Sequence, residues 1–300
     1  MKKNIAIIVP HKGLGDMLFH YKFINSLHNH HKCKLTLITN PSSKADLIFQ
    51  NNHKIKKVIL LDLRRPNIIN YISRVYKLIR LLYKYNFSII YYTGFNKWQR
   101  LAFFIVKLYK KTSIRFYKNN KSYILSFLNY FLKKEKIKIH NDLNSNLVIK
   151  VRQNFINKIR VYKKPWVFLS IDTSEDQIKI PKETLNLIIN NLKTKYKTIF
   201  INTNSFNQKK LKNIKNKSII KTNNFNILEV SYLIKNSQLF IGTESGPAII
   251  AAIYKKKSII FFSKQIKKES FLMENSNLRF YFLIENINKN IKKLFNIIKN

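Results

Sequence analysis

The sequence predicts an α/β protein built from two doubly wound, parallel-sheet domains. Short apolar runs alternate with longer segments of helical periodicity along the whole chain, as in repeated βαβ units. The 300 residues exceed the usual size of one core and suit two domains of about 150 residues each. A charged pair followed by proline, Lys163-Lys164-Pro165, separates two series of elements. It predicts domains over 1–162 and 163–300.

The first series of apolar runs predicts the strands of the N-terminal domain. These are Ile5 to Val9, Lys34 to Ile38, Lys57 to Leu61, Ser88 to Tyr92 and, as a last strand, Leu147 to Val151. We expect a helix after each of the first four, the first helix running from about Asp16 to His28. The helix after Pro66 has an apolar face and a basic stripe, which is typical of a surface helix. A short helix from Asn154 to Tyr162 is expected to connect the domains.

A second series predicts the C-terminal domain. Its expected strands are Trp166 to Ile171, Thr198 to Asn202, Ser218 to Ile220, Gln238 to Ile241 and Ser258 to Phe262. Its expected helices are Lys182 to Leu192, one from Asn207, Ile227 to Asn236, Ala248 to Tyr254 and a last helix from Ile287. A return of this last helix onto the first domain is left open.

The charge balance is extreme, with 57 Lys and Arg residues against 14 Asp and Glu and a formal net charge of +43. A field of this sign attracts nucleic acid, anionic lipid and phosphorylated substrates. Lys, Asn and Ile dominate throughout, as AT-biased coding would produce, so composition drift is an equal alternative to a specific partner. We expect no specific nucleic-acid binding, because no recognition motif occurs in its required context.

Cysteine usage and hydropathy bear on the compartment. Cys33 is the only cysteine, which excludes a disulfide or a thiolate zinc site within one chain and favours a reducing cytoplasm. The apolar run Ile5 to Val9 is too short for a signal peptide, and no stretch reaches the ~18 apolar residues of a membrane span. We therefore expect a cytoplasmic protein.

From Lys97 to Lys138 aromatic side chains are interleaved with lysine and arginine. A basic and aromatic surface can lie on anionic lipid, each surface cation adding about 1 kcal/mol. A peripheral contact with the inner face of the cytoplasmic membrane is one interpretation. The other is that the aromatic side chains belong to the core and the lysines are merely solvated.

The strongest local feature is a strand, turn and helix from Gln238 to Phe262. The turn contains two glycines and a hydroxyl pair at a strand's carboxyl end, where backbone N–H groups and a helix N-terminus can bind phosphate. It consists of Gly242, Thr243, Glu244, Ser245, Gly246 and Pro247.

A second polar segment follows the strand that begins at Trp166. Thr173 and Ser174 can bind phosphate oxygens there, and Lys179 can neutralise them. Because the carboxyl ends of neighbouring parallel strands converge, this segment is expected to meet the Gly242 to Pro247 turn. We expect no metal site at Asp172, Glu175 and Asp176, because no histidine lies nearby.

The run from His11 to Leu18 follows the first strand and places Gly13 and Gly15 before Asp16. It resembles a dinucleotide-binding turn, but the third glycine is missing and a carboxylate would repel a pyrophosphate. A helix N-terminus favours the ionised carboxylate, which is suited to accepting a proton from a hydroxyl. The alternative is that Asp16 only caps the helix.

Three motifs in this order resemble glycosyltransferase family 9, the heptosyltransferase family of lipopolysaccharide core assembly. They are Gly13-Leu14-Gly15-Asp16-Met17-Leu18, Lys179-Ile180-Pro181-Lys182-Glu183 and Leu239 to Ala248 with Ala251-Ala252. The resemblance implies a GT-B fold, with two Rossmann-like domains facing a cleft. It implies a nucleotide-sugar donor on the C-terminal domain and metal-independent, inverting transfer without a cofactor.

The resemblance also implies residue roles. Asp16 would be the general base, and Thr173 and Ser174 would contact the donor phosphate. The acceptor would lie on the N-terminal domain, on the side of His11, Lys12, Gly13 and Gly15. The sequence departs from the family pattern at Glu244, where aspartate is usual, and at Ile249, where a donor-contacting histidine is usual. The family's phosphate-contacting lysine falls at Ile178, so Lys179 requires a local shift.

Together these features predict transfer of a heptose-like sugar from a nucleotide-diphosphate donor to an anionic, lipid-linked glycan such as lipopolysaccharide core. A different donor sugar or acceptor within the same family is one alternative. A noncatalytic binding protein is another, since the histidine is replaced by Ile249.

Overall fold

The computed structural model describes most of the chain. The ranges are residues 3–11, 13–63, 67–94, 97–117, 124–139, 150–171, 180–202, 217–222, 224–243, 245–262, 279–287 and 289–299. The chain divides into two compact units, Met1–Val148 and Ile149–Asn300, and each has a parallel sheet with accompanying helices. The predicted fold class is therefore confirmed.

The first unit contains a five-stranded sheet. Its strands are β1 (Ile5–Val9), β2 (Leu35–Thr39), β3 (Ile55–Leu60), β4 (Ile89–Tyr92) and β5 (Ser113–Arg115). Its helices are α1 (Leu14–His31), α2 (Ala45–Phe49), α3 (Ile68–Tyr85), α4 (Lys97–Tyr109) and α5 (Ile124–Lys134). The strand order is β3-β2-β1-β4-β5 and each neighbouring pair is parallel. The order reverses between β1 and β4, as in doubly wound sheets.

The second unit contains a six-stranded sheet. Its strands are β6 (Trp166–Ser170), β7 (Thr198–Asn202), β8 (Ile219–Lys221), β9 (Leu239–Thr243), β10 (Lys257–Phe262) and β11 (Arg279–Leu283). Its helices are α6 (Gln153–Arg160), α7 (Lys182–Lys195), α8 (Ile227–Asn236), α9 (Gly246–Ile253) and α10 (Ile291–Lys299). The order β11-β10-β9-β6-β7-β8 is parallel throughout and reverses between β6 and β9.

The central strands form where the sequence is continuously apolar. Strands β1 and β2 are buried along their whole length, because helices cover both faces of a parallel sheet and leave no side that requires polar residues.

Helix α8 begins with a capping box, in which Asn226 accepts from the Glu229 N–H at 3.1 Å and Glu229 accepts from the Asn226 N–H at 2.8 Å.

The sequence analysis did not predict two of the observed strands, and two elements that it predicted lie wholly or partly outside the described residues. Strand β5 has a single apolar residue and gave no strand signal, whereas β11 is an aromatic and apolar run that the sequence analysis overlooked. The predicted strand Leu147 to Val151 falls largely outside the described residues, and its last two residues, Lys150 and Val151, are not in a strand. The start predicted for the helix from Asn207 also lies outside them.

The division between the units falls earlier than the predicted boundary after residue 162. Helix α6 belongs to the second unit because Phe155 packs edge-on against Phe225, with ring centroids 5.2 Å apart, and against Tyr232 at 6.0 Å. The last helix, α10, begins at Ile291 and buries Leu294 and Ile298 in the core of the second unit.

Gly242 gives a test of this packing. It lies inside β9 opposite Ser170, and a Cβ there would be 2.7 Å from the Ser170 carbonyl oxygen and 2.7 Å from Phe240 Cζ. Gly242→Ala should lower the free energy of unfolding by roughly 1–3 kcal/mol, because backbone must move to admit the methyl group. Urea denaturation followed by circular dichroism measures the loss.

Gly13→Ala is the matched control for Gly242→Ala. The nearest atom to its added Cβ is the end of the Asp16 side chain at 3.1 Å, which can rotate away. Equal losses in the two variants would contradict the packing explanation.

Candidate functional site

Polar side chains follow three neighbouring strands of the first sheet. His11 comes after β1, Asn40 directly after β2, and Thr93 directly after β4. The carboxyl ends of parallel strands share one edge, and in doubly wound sheets ligands bind at that edge where the strand order reverses. The β1–β4 reversal therefore marks the candidate site of this unit.

Thr93 links the end of β1 to helix α1. Its N–H donates to the Ile8 carbonyl oxygen at 3.1 Å, and its own carbonyl accepts from His11 Nε2 at 3.2 Å. Its hydroxyl lies 2.9 Å from His20 Nε2. His20 Nδ1 in turn donates to the Asp16 carbonyl oxygen at 2.7 Å. Thr93 and His20 thus fix the first turn of α1 against the strand ends.

The protonation of His20 follows from its partners and its burial. A carbonyl oxygen can only accept, so Nδ1 carries a proton and Nε2 of the neutral ring accepts from the Thr93 hydroxyl. Burial and, to a smaller extent, the neighbouring His11 lower the pKa of His20 to about 3, against the opposing effect of the hydrogen bond to the Asp16 carbonyl. His20 is therefore neutral at physiological pH.

His11 faces the carboxylate. Its ring centroid lies 5.7 Å from that of His20. Burial lowers the pKa of His11, while the Asp16 charge and the Thr93 carbonyl act in the opposite direction. A half-buried imidazole and a half-buried carboxylate thus lie close enough to influence each other.

Asp16 is not the helix cap. Helix α1 begins at Leu14, its N-cap is Gly13 with φ −80° and ψ 145°, and no side chain bonds to the cap position. Asp16 is the third helical residue. A Cβ on Gly13 would lie 3.1 Å from Asp16 Oδ2, so the carboxylate lies over the turn before the helix. The capping alternative is therefore wrong, and the carboxylate stands at the positive end of α1.

Asn40 and Gly94 hold the chain that follows β1, and the sequence analysis missed both. Asn40 Nδ2 donates to the Pro10 carbonyl oxygen at 2.6 Å and to that of His11 at 3.1 Å. A Cβ on Gly94 would lie 2.2 Å from Pro10 Cγ, so only glycine admits this approach. Their position in the sequence could have indicated them, because Asn40 and Gly94 each lie within two residues of the end of a buried strand.

The second unit has a comparable edge where β6 and β9 pair. The structure confirms a strand, turn and helix there, but Gly242 and Thr243 are buried in β9, ahead of the turn. Ser245 is the N-cap of α9, Gly246 is its first residue and Pro247 lies in its first turn. The Ser245 hydroxyl donates to the Thr243 carbonyl oxygen at 3.1 Å. The Ser245 side chain makes no capping hydrogen bond. It therefore does not satisfy the first backbone N–H groups of α9.

Several predicted site residues lie outside the described residues. They are Lys12, Thr173, Ser174, Lys179 and Glu244, together with the acids Asp172, Glu175 and Asp176. Ser170 pairs with Gly242, so the carboxyl ends of β6 and β9 are adjacent. The expected meeting of the segment after β6 with the Gly242 to Pro247 turn stays a prediction. Ile249 is only 3% exposed, so its side chain belongs to the interior of the second unit.

Two further properties were searched over the described ranges. Within them, no three His, Cys, Asp or Glu side chains are grouped as a metal site would need. No helix in the described part of the chain combines the length and apolarity required to span a bilayer.

Two units of this topology define the GT-B class, and comparison with solved structures agrees over nearly the whole chain. A family 9 glycosyltransferase from Veillonella parvula is similar with a TM-score of 0.75 and 13% identity, over 98% of this chain and 90% of that one. The ADP-heptose lipopolysaccharide heptosyltransferase II of Escherichia coli is similar with a TM-score of 0.67 and 10% identity, over 99% and 100%.

Enzymes of another kind have the same fold. A UDP-GlcNAc 2-epimerase from Methanocaldococcus jannaschii is similar with a TM-score of 0.60 and 15% identity, over 99% of this chain and 93% of that one. No family model matches the sequence, and no curated protein does. At these identities the likeness shows the fold, and function has to be argued from the site.

The buried histidine predicts a pH dependence of stability. The pKa of His20 is about 3 in the folded protein and about 6.5 in the unfolded chain. As the pH falls below about 6.5, the unfolded chain therefore binds a proton that the folded protein does not, and stability is lost down to about pH 3. Between about pH 7.5 and about pH 5 this costs about 2 kcal/mol. His20→Asn should remove that part of the slope.

Urea denaturation of the wild type and His20→Asn at several pH values measures the difference. The readout is the change with pH, so a constant offset between the two proteins does not affect it. Parallel profiles would contradict the burial of a neutral imidazole.

Proposed function

We propose that the protein is a glycosyltransferase that moves a sugar from a nucleotide-diphosphate donor to a lipid-linked glycan. The observation that carries the proposal is the Asp16 carboxylate at the first turn of α1, beside His11 and at the reversal of the first sheet. The likeness to family 9 structures supports it. One solved neighbour is an Escherichia coli heptosyltransferase with ADP-2-deoxy-2-fluoro heptose, at a TM-score of 0.64, 11% identity and coverage of 97% and 99%.

In this proposal Asp16 is the general base. It takes the proton of an acceptor hydroxyl while that oxygen bonds to the anomeric carbon, and the bond from the same carbon to the diphosphate breaks on the opposite face. The configuration inverts, the proton ends on Asp16 and the nucleoside diphosphate leaves. Neutral His11 and His20 leave the negative charge of Asp16 without a cationic imidazole partner, which favours its action as a base.

The donor diphosphate is proposed to bind at the start of α9. Backbone N–H groups at Ser245 and Gly246, with Thr173, Ser174 and Lys179, would stabilise the departing diphosphate, and each well-placed donor contributes about 3 kcal/mol. Glu244 would hold hydroxyls of the sugar or ribose. Gly242, Thr243 and Pro247 shape this site through the strand end and the helix start. The mechanism is proposed to need neither a metal nor a cofactor.

The acceptor is proposed to be anionic and to bind in the first unit. The residues proposed to contact it precede Asp16 in the sequence and are His11, Lys12, Gly13 and Gly15. The net positive charge of the protein favours an acceptor glycan that carries phosphates or carboxylates. A heptose-like donor sugar and a lipopolysaccharide-core acceptor are the specific form of the proposal. A lipid-linked acceptor would be met at the cytoplasmic face of a membrane.

Asp16→Asn tests the base. It should lower the turnover by about 10²–10⁴-fold, because the amide cannot accept the proton, and leave donor binding unchanged. Release of nucleoside diphosphate in the presence of acceptor measures turnover. The control is Asp46→Asn, which removes an exposed carboxylate from the first turn of α2. Unchanged turnover in Asp16→Asn would rule out the role.

A thermal-shift panel of ADP-, UDP- and GDP-linked hexoses and heptoses tests donor binding. The true donor should stabilise the protein by about 2.7 kcal/mol at 100 times its Kd, and free sugars should not. Stabilisation without transfer, together with inversion at the sugar's C2, would favour an epimerase, an activity found within this fold. No stabilisation by any nucleotide sugar would favour the noncatalytic alternative.

A further inference from the structure

The first unit contains a long stretch without any acid. From Leu63 to Lys134, 72 residues, the sequence has 16 Lys and Arg and no Asp or Glu. The stretch supplies α3, β4, α4, β5 and α5. The acids at its two ends pair with two of these cations, Asp62 with Arg74 at 2.9 Å and Glu135 with Arg115 at 3.7 Å. The remaining excess of cations makes the surface that these helices present strongly positive.

Helix α4 is apolar on both sides. Trp98, Ala102, Phe103 and Val106 are buried against the sheet. The opposite side carries Leu101, Phe104 and Leu108, which are 42%, 61% and 64% exposed. Their spacing of three and four residues places them in one stripe along the helix. The core interpretation of this segment therefore holds for Trp98 and Phe103 on one side of the helix and does not hold for Phe104 on the other.

Cations flank this stripe. Lys97, Lys107 and Lys111 are exposed on or just beyond α4. Helix α3 packs against α4 over the same core and adds exposed Ile72 and Tyr76, at 78% and 61%. Its remaining exposed positions include Lys77, Arg80 and Lys84. We call this set of side chains the α3–α4 face.

We propose that the α3–α4 face docks on the surface of an anionic lipid bilayer. Leu101, Phe104 and Leu108 would enter the boundary between headgroups and acyl chains, while the lysines pair with lipid phosphates. Exposed apolar stripes bordered by cations have this use in interfacial helices. Nucleic acid would pair with the lysines but leaves the leucines in water, and a protein partner would have to supply many acids. None of these residues belongs to the candidate site, so the inference is independent of the proposed reaction.

Vesicle co-sedimentation of the full chain tests the docking. The wild type should bind vesicles of phosphatidylglycerol and phosphatidylcholine and not vesicles of phosphatidylcholine alone. Phe104→Ser with Leu108→Ser should weaken partitioning by about tenfold or more, because apolar area no longer enters the interface. Lys97→Gln, Lys107→Gln and Lys111→Gln together should weaken it about 100-fold, at about fivefold for each surface cation.

Matched controls lie in the second unit. Leu187→Ser removes an apolar side chain that is 47% exposed. Lys289→Gln, Lys292→Gln and Lys293→Gln remove three exposed cations, two of them on α10. Both controls should bind within about twofold of the wild type if binding is local to the α3–α4 face, because they leave that face unchanged.

Three results would overturn the proposal. Equal loss in the control variants would mean that the whole charge of the protein is attracted without a docking face. Loss in the lysine variant with full binding by Phe104→Ser and Leu108→Ser would mean attraction to polyanions in general, nucleic acid included. A dimer in light scattering that these serine variants convert to a monomer would mean that a second copy covers the face.

Discussion

The reversal of strand order in each parallel sheet is the constraint on which the candidate site depends. At β1–β4 and at β6–β9 the chain leaves adjacent strands in opposite directions. The segments that follow those strands therefore cannot cover their own ends, and polar side chains gather there. Thr93 beside His11 in the first unit and Gly242 beside Ser170 in the second follow from this pairing.

Burial of a neutral imidazole gives the first site its rigidity. His20 joins the Asp16 carbonyl to the Thr93 hydroxyl, and Thr93 is bonded to β1. The first turn of α1 is thereby tied to the strand ends through His20 and Thr93, which positions the Asp16 side chain.

Charge acts at two ranges in this protein. Within the site, burial lowers the pKa of His11 and of His20, so neither imidazole adds a full positive charge beside Asp16 at neutral pH. Across the first unit, the acid-free stretch gives α3 and α4 an excess of positive charge, which the ion pair of Arg74 with Asp62 offsets in part. The same composition that AT-biased coding would produce can thus serve attraction to anionic partners where it coincides with an exposed apolar stripe.

The sequence by itself determined the two-unit α/β architecture, since continuous apolar runs form buried parallel strands wherever they occur. The positions of Asp16 and of the strand, turn and helix around Gly246 were also readable from the sequence, because glycines near a strand end are local signals. Only the tertiary structure decided that Gly13 caps α1, that Gly242 serves packing inside a strand, and that Asn40, Gly94 and Thr93 meet at the site. Those contacts join residues far apart in the chain, and no local pattern encodes a distance between strand ends.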